Sequence, residues 1–126
     1  MYHVVHPRSI LAALLALVLL PAVLLGREAR EQARIDFLIN NVETSGGLAF
    51  IRNGSEHDGP AAAKHLRLKL DYAGERVKTA EEFVKVCASE SSVTHQKYKV
   101  RLHDGTTMDA AAYFAERLRE FDSKKL

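Results

Sequence analysis

The sequence predicts a small α+β domain, mainly helical, with about four helices and two short strands in the order α-β-α-α-β-α. An N-terminal signal or anchor helix precedes it. Three observations predict this. Apolar residues recur at helical spacing in four separate stretches. Two short runs, Leu48–Ile51 and Tyr98–Leu102, have strand character and lie between turn formers. Cap and turn residues punctuate the chain at the junctions. At 126 residues, the chain holds one domain and little more.

Residues 1–26 are not ordinary domain sequence. Arg8 leads into an apolar run from Ile10 to Leu25, and Arg27, Glu28, Arg30 and Glu31 follow at once. Cation, apolar run and charge in that order predict an export signal. The run falls short of the roughly 20 residues that cross a bilayer. Leu24-Leu25-Gly26 meets the small-x-small cleavage pattern only loosely, which keeps an uncleaved N-terminal anchor open beside a cleaved signal peptide.

The domain is expected over residues 27–122. From Glu28 to Glu43, Ile35, Leu38, Ile39 and Val42 form the apolar stripe of an amphipathic helix, with Arg30, Glu31, Arg34, Asp36 and Asn40 on its other side. Ser45-Gly46-Gly47 stops it. Leu48–Ile51 is the first strand, and Asn53-Gly54 turns the chain. HLRLKL, residues 65–70, alternates like a strand, but its surroundings are helical. Ser55 with Asp58 matches a capping box, Pro60 suits a first turn, and Ala61–Ala63 favour helix. Leucines on two sides of this helix, Leu66 with Leu70 and Leu68, predict a central helix covered on two sides. Gly74 ends it. Thr79-Ala80-Glu81-Glu82 caps a helix with Ala80, Phe83 and Cys87 on one stripe and Val86 beside them. Residues 89–94 read as loop, and Tyr98–Leu102 as a half-buried strand expected to pair with the first. Thr106 with Asp109 is expected to cap a final helix carrying Ala111, Phe114, Ala115 and Leu118; residues 123–126 form a frayed tail.

Composition narrows the function. Residues 27–126 hold 17 Lys+Arg (18 less Arg8) against 16 Asp+Glu, a balance that gives no electrostatic case for nucleic acid. The single cysteine, Cys87, permits no intramolecular disulfide, so the domain relies on its hydrophobic core. Placed on the apolar stripe beside Phe83, that thiol reads as packing rather than as a nucleophile. No metal site or cofactor is expected. If both were helical, His57 and His65 would lie roughly 12 Å apart, too far to chelate one ion unaided. Ser91, Ser92 and His95 carry no nucleophile-elbow signature, and Glu56 with Asp58 suits a helix start. No catalytic residue is therefore assigned.

Arg52, Asn53, His57, His65 and Arg67 form the candidate surface for a ligand or partner. Arg52 ends the first strand close to the next helix, where a guanidinium and free N–H groups suit an anion or carboxylate. The plainer reading pairs Arg52 with Glu56 or Asp58, buries His65 by hydrogen bonding, and leaves Lys69 as solvated trim.

At this cluster the chain resembles the YfeK-like family of small exported Gram-negative proteins, a domain of unknown function. The residues that carry the likeness are Phe50-Ile51-Arg52-Asn53-Gly54 with His57, HLRLKL at 65–70, TAEEF at 79–83, Ala88-Ser89-x-Ser91-Ser92 and Tyr98-x-Val100. Ala33-Arg34-Ile35 adds to them, so the likeness covers most of residues 28–102. Pro60 and the weak cleavage signal depart from the family pattern. The resemblance implies a periplasmic location and a helical domain, and it brings no known activity or catalytic residue. The expected function is thus a non-enzymatic periplasmic or cell-envelope protein that binds an envelope protein or a small anionic ligand. It would be held at the inner membrane only through residues 10–25 if they are not cleaved. The alternative is a small periplasmic hydrolase or metal-dependent enzyme using His57 and His65 with Glu56 or Asp58.

Overall fold

A computed structural model describes residues 26–124. The expected signal or anchor at 1–26 lies outside the described residues except for Gly26, as do Lys125 and Leu126 of the expected tail.

The first helix, α1, spans Ala29–Glu43 and buries Ile35, Leu38, Ile39 and Val42, the stripe that its spacing predicts. Arg34 departs from expectation: it is buried along with them, at 5% exposure. After the Gly46-Gly47 turn, β1 covers Ala49–Arg52. Asn53 (φ 50°) and Gly54 (φ 79°) both take positive φ. Two such residues make the tight turn whose twist suits a hairpin, and the chain returns as β2, Ser55–His57, with Phe50 opposite His57 and Arg52 opposite Ser55. Ser55 therefore belongs to a strand and not to a helix cap. The hairpin turn fixes its partners before a helix can form.

The second helix, α2, spans Gly59–Ala73, with Pro60 in its first turn; Asp58 caps it by accepting from the Ala61 amide at 2.9 Å. HLRLKL is helical, as its context predicts. It is not enclosed on two sides, however: Leu68 is 60% and Tyr72 87% exposed, while Leu66 and Ala63 face the core. Five buried residues make α1 the more enclosed helix, and it packs on α2, α3 and α4.

Helix α3, Ala80–Phe83, opens with the predicted capping box, in which the Glu82 amide donates to Thr79 Oγ1 (3.1 Å) and the Thr79 amide to Glu82 Oε1 (3.0 Å). It widens into a π-helical turn, Val84–Ala88, that buries Cys87 and Ala88. Ala80, Phe83 and Cys87 are all fully buried, as their spacing predicts.

Strand β3, Lys99–Arg101, pairs antiparallel with β1, Phe50 opposite Val100, so the two predicted strands do pair with each other. They form the centre of a larger sheet. Strand β4, Thr107–Asp109, adds to β3, and the order is β2-β1-β3-β4, antiparallel throughout. Helix α4 follows over Ala110–Lys124. The expected Thr106/Asp109 cap is replaced. Thr106 donates to Asp104 within the 103–106 turn, and Asp109 pairs with Lys99 across the sheet. Phe50 and Val100 are buried, and with Phe83, Ile35, Leu38, Val42 and Val77 they make up much of the core.

Candidate functional site

The β1–β2 hairpin and the first half of α2 lie against each other because only Asp58 separates β2 from the helix. That short passage sets Arg52, His57 and His65 around one opening. Behind it is a cavity of about 50 Å³, walled mainly by Phe50, Ala61, Ala62, Leu66, Ala110 and Phe114, with Tyr98 and Lys99 also lining it. One water needs roughly 10–15 Å³ on this scale. The space thus admits a few waters or a short alkyl group, and no sugar ring or nucleotide can be buried whole.

Arg52 Nη1 lies 3.0 Å from Nδ1 and 3.1 Å from Nε2 of His65. An in-plane hydrogen bond reaches one ring nitrogen, so near-equal distances set the guanidinium across the ring. Among the described residues, Arg52 forms no ion pair, and the carboxylates once considered for it are engaged elsewhere. Glu56 pairs with Arg101, and that hydrogen bond holds its pKa below the ordinary 4.5. Asp58 caps α2.

Burial lowers the His65 pKa below 6.5, and the charges of Arg52, Lys69 and His57 lower it further. His65 is therefore the neutral imidazole at pH 7. Its ring stands edge-on to Tyr98, 6.3 Å between centroids. His57 Nε2 is buried without a hydrogen-bond partner among the described residues. A buried polar nitrogen in that state costs about 1–3 kcal/mol, which a ligand oxygen would recover.

Other predicted residues fall apart from this trio. Asn53 holds the hairpin tip, its Oδ1 accepting from Thr94 Oγ1 at 2.6 Å. Arg67 points to α1, where it bonds Glu43 at 2.6 Å. Lys69 donates to the Tyr98 hydroxyl at 3.1 Å and the Glu90 carbonyl at 3.3 Å. Sequence reasoning missed the wall: Phe50, Lys99, Ala110 and Phe114 come from β1, β3 and α4, and Tyr98 immediately precedes β3. Phe50 carried a usable signal, two residues before Arg52 and so on the same face of the strand.

The remaining chemistry is restrained. Cys87 is fully buried, and burial pushes its thiol up from 9.0. Ser91 Oγ accepts from the Val93 and Thr94 amides at 3.2 Å and organises its own loop. Among the described residues, no group of three or more His, Cys, Asp or Glu side chains is placed to hold a metal ion.

Comparison with known proteins identifies the family of the chain. The model of the "Family of unknown function (DUF5329)" matches residues 29–122. The "Uncharacterized protein YfeK" of Salmonella typhimurium (strain LT2) is 38% identical over 91 residues, covering 72% of this chain and 76% of that protein. No solved structure matches the chain significantly.

Proposed function

Since the chain belongs to DUF5329, a family of unknown function, its role must be read from its own groups, and we propose that it is a non-enzymatic binding domain of the cell envelope that takes a small anion at Arg52. The observation that carries this reading is a half-buried guanidinium with no carboxylate partner among the described residues, at the mouth of an apolar cavity where His57 Nε2 finds no hydrogen-bond partner among them. Arg52 and, in its Nε2–H tautomer, His57 supply donors to the anion. The cavity takes the ligand's short apolar end. A small carboxylate with a short alkyl chain fits both halves.

The cell-envelope placement, periplasmic after export, rests on the sequence of residues 1–26. The enzyme alternative has less support. Glu56 and Asp58, the acids it would use with His57 and His65, are held by Arg101 and by the Ala61 amide.

The test is thermal denaturation of the full chain with inorganic phosphate and with straight-chain carboxylates from acetate to hexanoate. A carboxylate near 100 times its Kd raises stability by about 2.7 kcal/mol, and Arg52→Ala abolishes that gain while Arg52→Lys keeps part of it. If no anion moves the transition, or the Arg52→Ala protein responds as fully as the parent, the reading fails.

A further inference from the structure

The lining of the cavity behind Arg52 changes character with depth. At its mouth stand Arg52, His57 and His65, all half-buried, beside Ala61 and Ala62. Its deep wall is made by Leu66, Ala88, Ala110 and Phe114, none more than 5% exposed. No side chain of that wall carries a polar atom. Tyr98 and Lys99 also reach the lining, but their polar ends are engaged elsewhere. The Tyr98 hydroxyl accepts from Lys69 Nζ at 3.1 Å, and the Lys99 ammonium pairs with Asp109.

Two segments distant in sequence supply the smallest residues of the deep wall. Ala88 closes the π-helical turn Val84–Ala88, and Ala110 opens α4, where its amide donates to the Tyr98 carbonyl at 2.8 Å. Single π-helical turns are rare and gather at functional sites. Each of the two alanines has only a methyl group at a place where a larger apolar residue would fill the space.

Size and polarity then select a ligand. The cavity of about 50 Å³ holds roughly three to five water-sized groups, and a methylene is close to a water in size. With a carboxylate at the mouth, the tail that fits has about three or four carbons beyond it, as in butanoate or pentanoate. A second charged group at the far end of the tail would be stripped of water against a wall that offers it no partner, which is strongly disfavoured.

We propose that the anion at Arg52, the reading on which this inference rests, is a monocarboxylate whose alkyl tail ends in a methyl group, and that Ala88 and Ala110 set the length of that tail.

The test is thermal denaturation of the full chain at neutral pH and matched ionic strength with acetate, butanoate, hexanoate and succinate. Succinate has the carbon count of butanoate with a carboxylate in place of the terminal methyl. Butanoate is expected to raise the transition most. Acetate and hexanoate should need about tenfold more for the same shift, the scale of a methylene gained or lost in an apolar pocket. Succinate should do no more than chloride. Ala88→Val and Ala110→Val each add two carbons to the wall, and each should move the maximum from butanoate to acetate while the response stays sensitive to Arg52→Ala. Circular dichroism verifies the folds. If no carboxylate shifts the parent, the anion site itself fails and this proposal with it. If butanoate acts through Arg52 but succinate or hexanoate acts as strongly, the anion site stands and the proposal is overturned. An unchanged length profile in a folded valine variant overturns the role of that alanine. Should either variant fail to fold, the other variant and the comparison of butanoate with succinate on the parent still decide.

Discussion

Arg34 lies 5% exposed between Glu31, Glu81 and Asp122, and all five of its N–H donors are used. Its bonds, 2.8–3.1 Å long, tie α1 to the start of α3 and the end of α4. Removing one partner of a buried charge group costs about 3–5 kcal/mol. Glu81 and Asp122 keep 64% and 37% of their side chains in solvent, so Arg34→Met is expected to cost less, about 2–3 kcal/mol by urea denaturation. Arg34, first through its hydrogen bond, holds Glu81 below 4.5. That stabilisation is present above pH 4.5 and is lost as pH falls through the lower folded value. Arg34→Met should therefore flatten the acid limb of the stability curve. His65 also binds its proton more weakly when folded. Its contribution is complete above about pH 6.5, the unfolded value, and is lost as pH falls through the folded one. His65→Gln should flatten stability below pH 6.5. An anion at Arg52 offsets the part of the His65 depression that the Arg52 charge adds to that of burial, so carboxylate affinity should rise as pH falls toward and below 6.5, as calorimetry would show.

Among the elements, the passage from β1 through β2 into α2 does most to shape the site. Its turn was legible, because Asn-Gly between apolar and polar runs is a strong hairpin signal. The strand after it was not, since Ser55 and Asp58 also spell a capping box. Three residues gain little by themselves, and β2 exists because β1 offers it a paired edge. Gly59 closes the passage: a Cβ there would meet the Val42 carbonyl oxygen at 2.3 Å and the Glu43 carbonyl oxygen at 3.2 Å. Both obstacles are backbone at the end of α1, which cannot swing away like a side chain. Gly59→Ala should cost about 1–3 kcal/mol in chemical denaturation. Asp58→Ala removes the α2 cap and should cost about 1 kcal/mol. If Gly59→Ala proves neutral, the close approach of α1 and α2 is wrong.

For the molecule as a whole, the core is small and undivided, and α1, the π-helical turn and the sheet share it. Phe83 is its largest fully buried side chain. Phe83→Ala should cost about 3–5 kcal/mol. A domain of this size holds about 5–15 kcal/mol in total and loses roughly 4–8 °C of Tm per kcal/mol, so scanning calorimetry should show a deep fall or no transition. The sequence alone determined the four helices, the central strand pair, the Thr79/Glu82 cap, the apolar stripes of α1 and of the Ala80–Cys87 segment, and the likeness to a family. The helices, the cap and the stripes follow from spacing within a few residues, where propensity and periodicity act, and the strand pair from the presence of two strand-like runs that most readily satisfy each other. Tertiary structure decided which charges are buried and which are free. Arg34 entered the core because carboxylates 47 and 88 residues away converge on it. Arg67 left the candidate surface for Glu43, and Leu68 and Tyr72 remained uncovered. It also formed the cavity behind Arg52, whose walls come from β1, α2, β3 and α4. A side chain's charge partner and its exposure depend on distances through space between distant segments, and local spacing carries no measure of them.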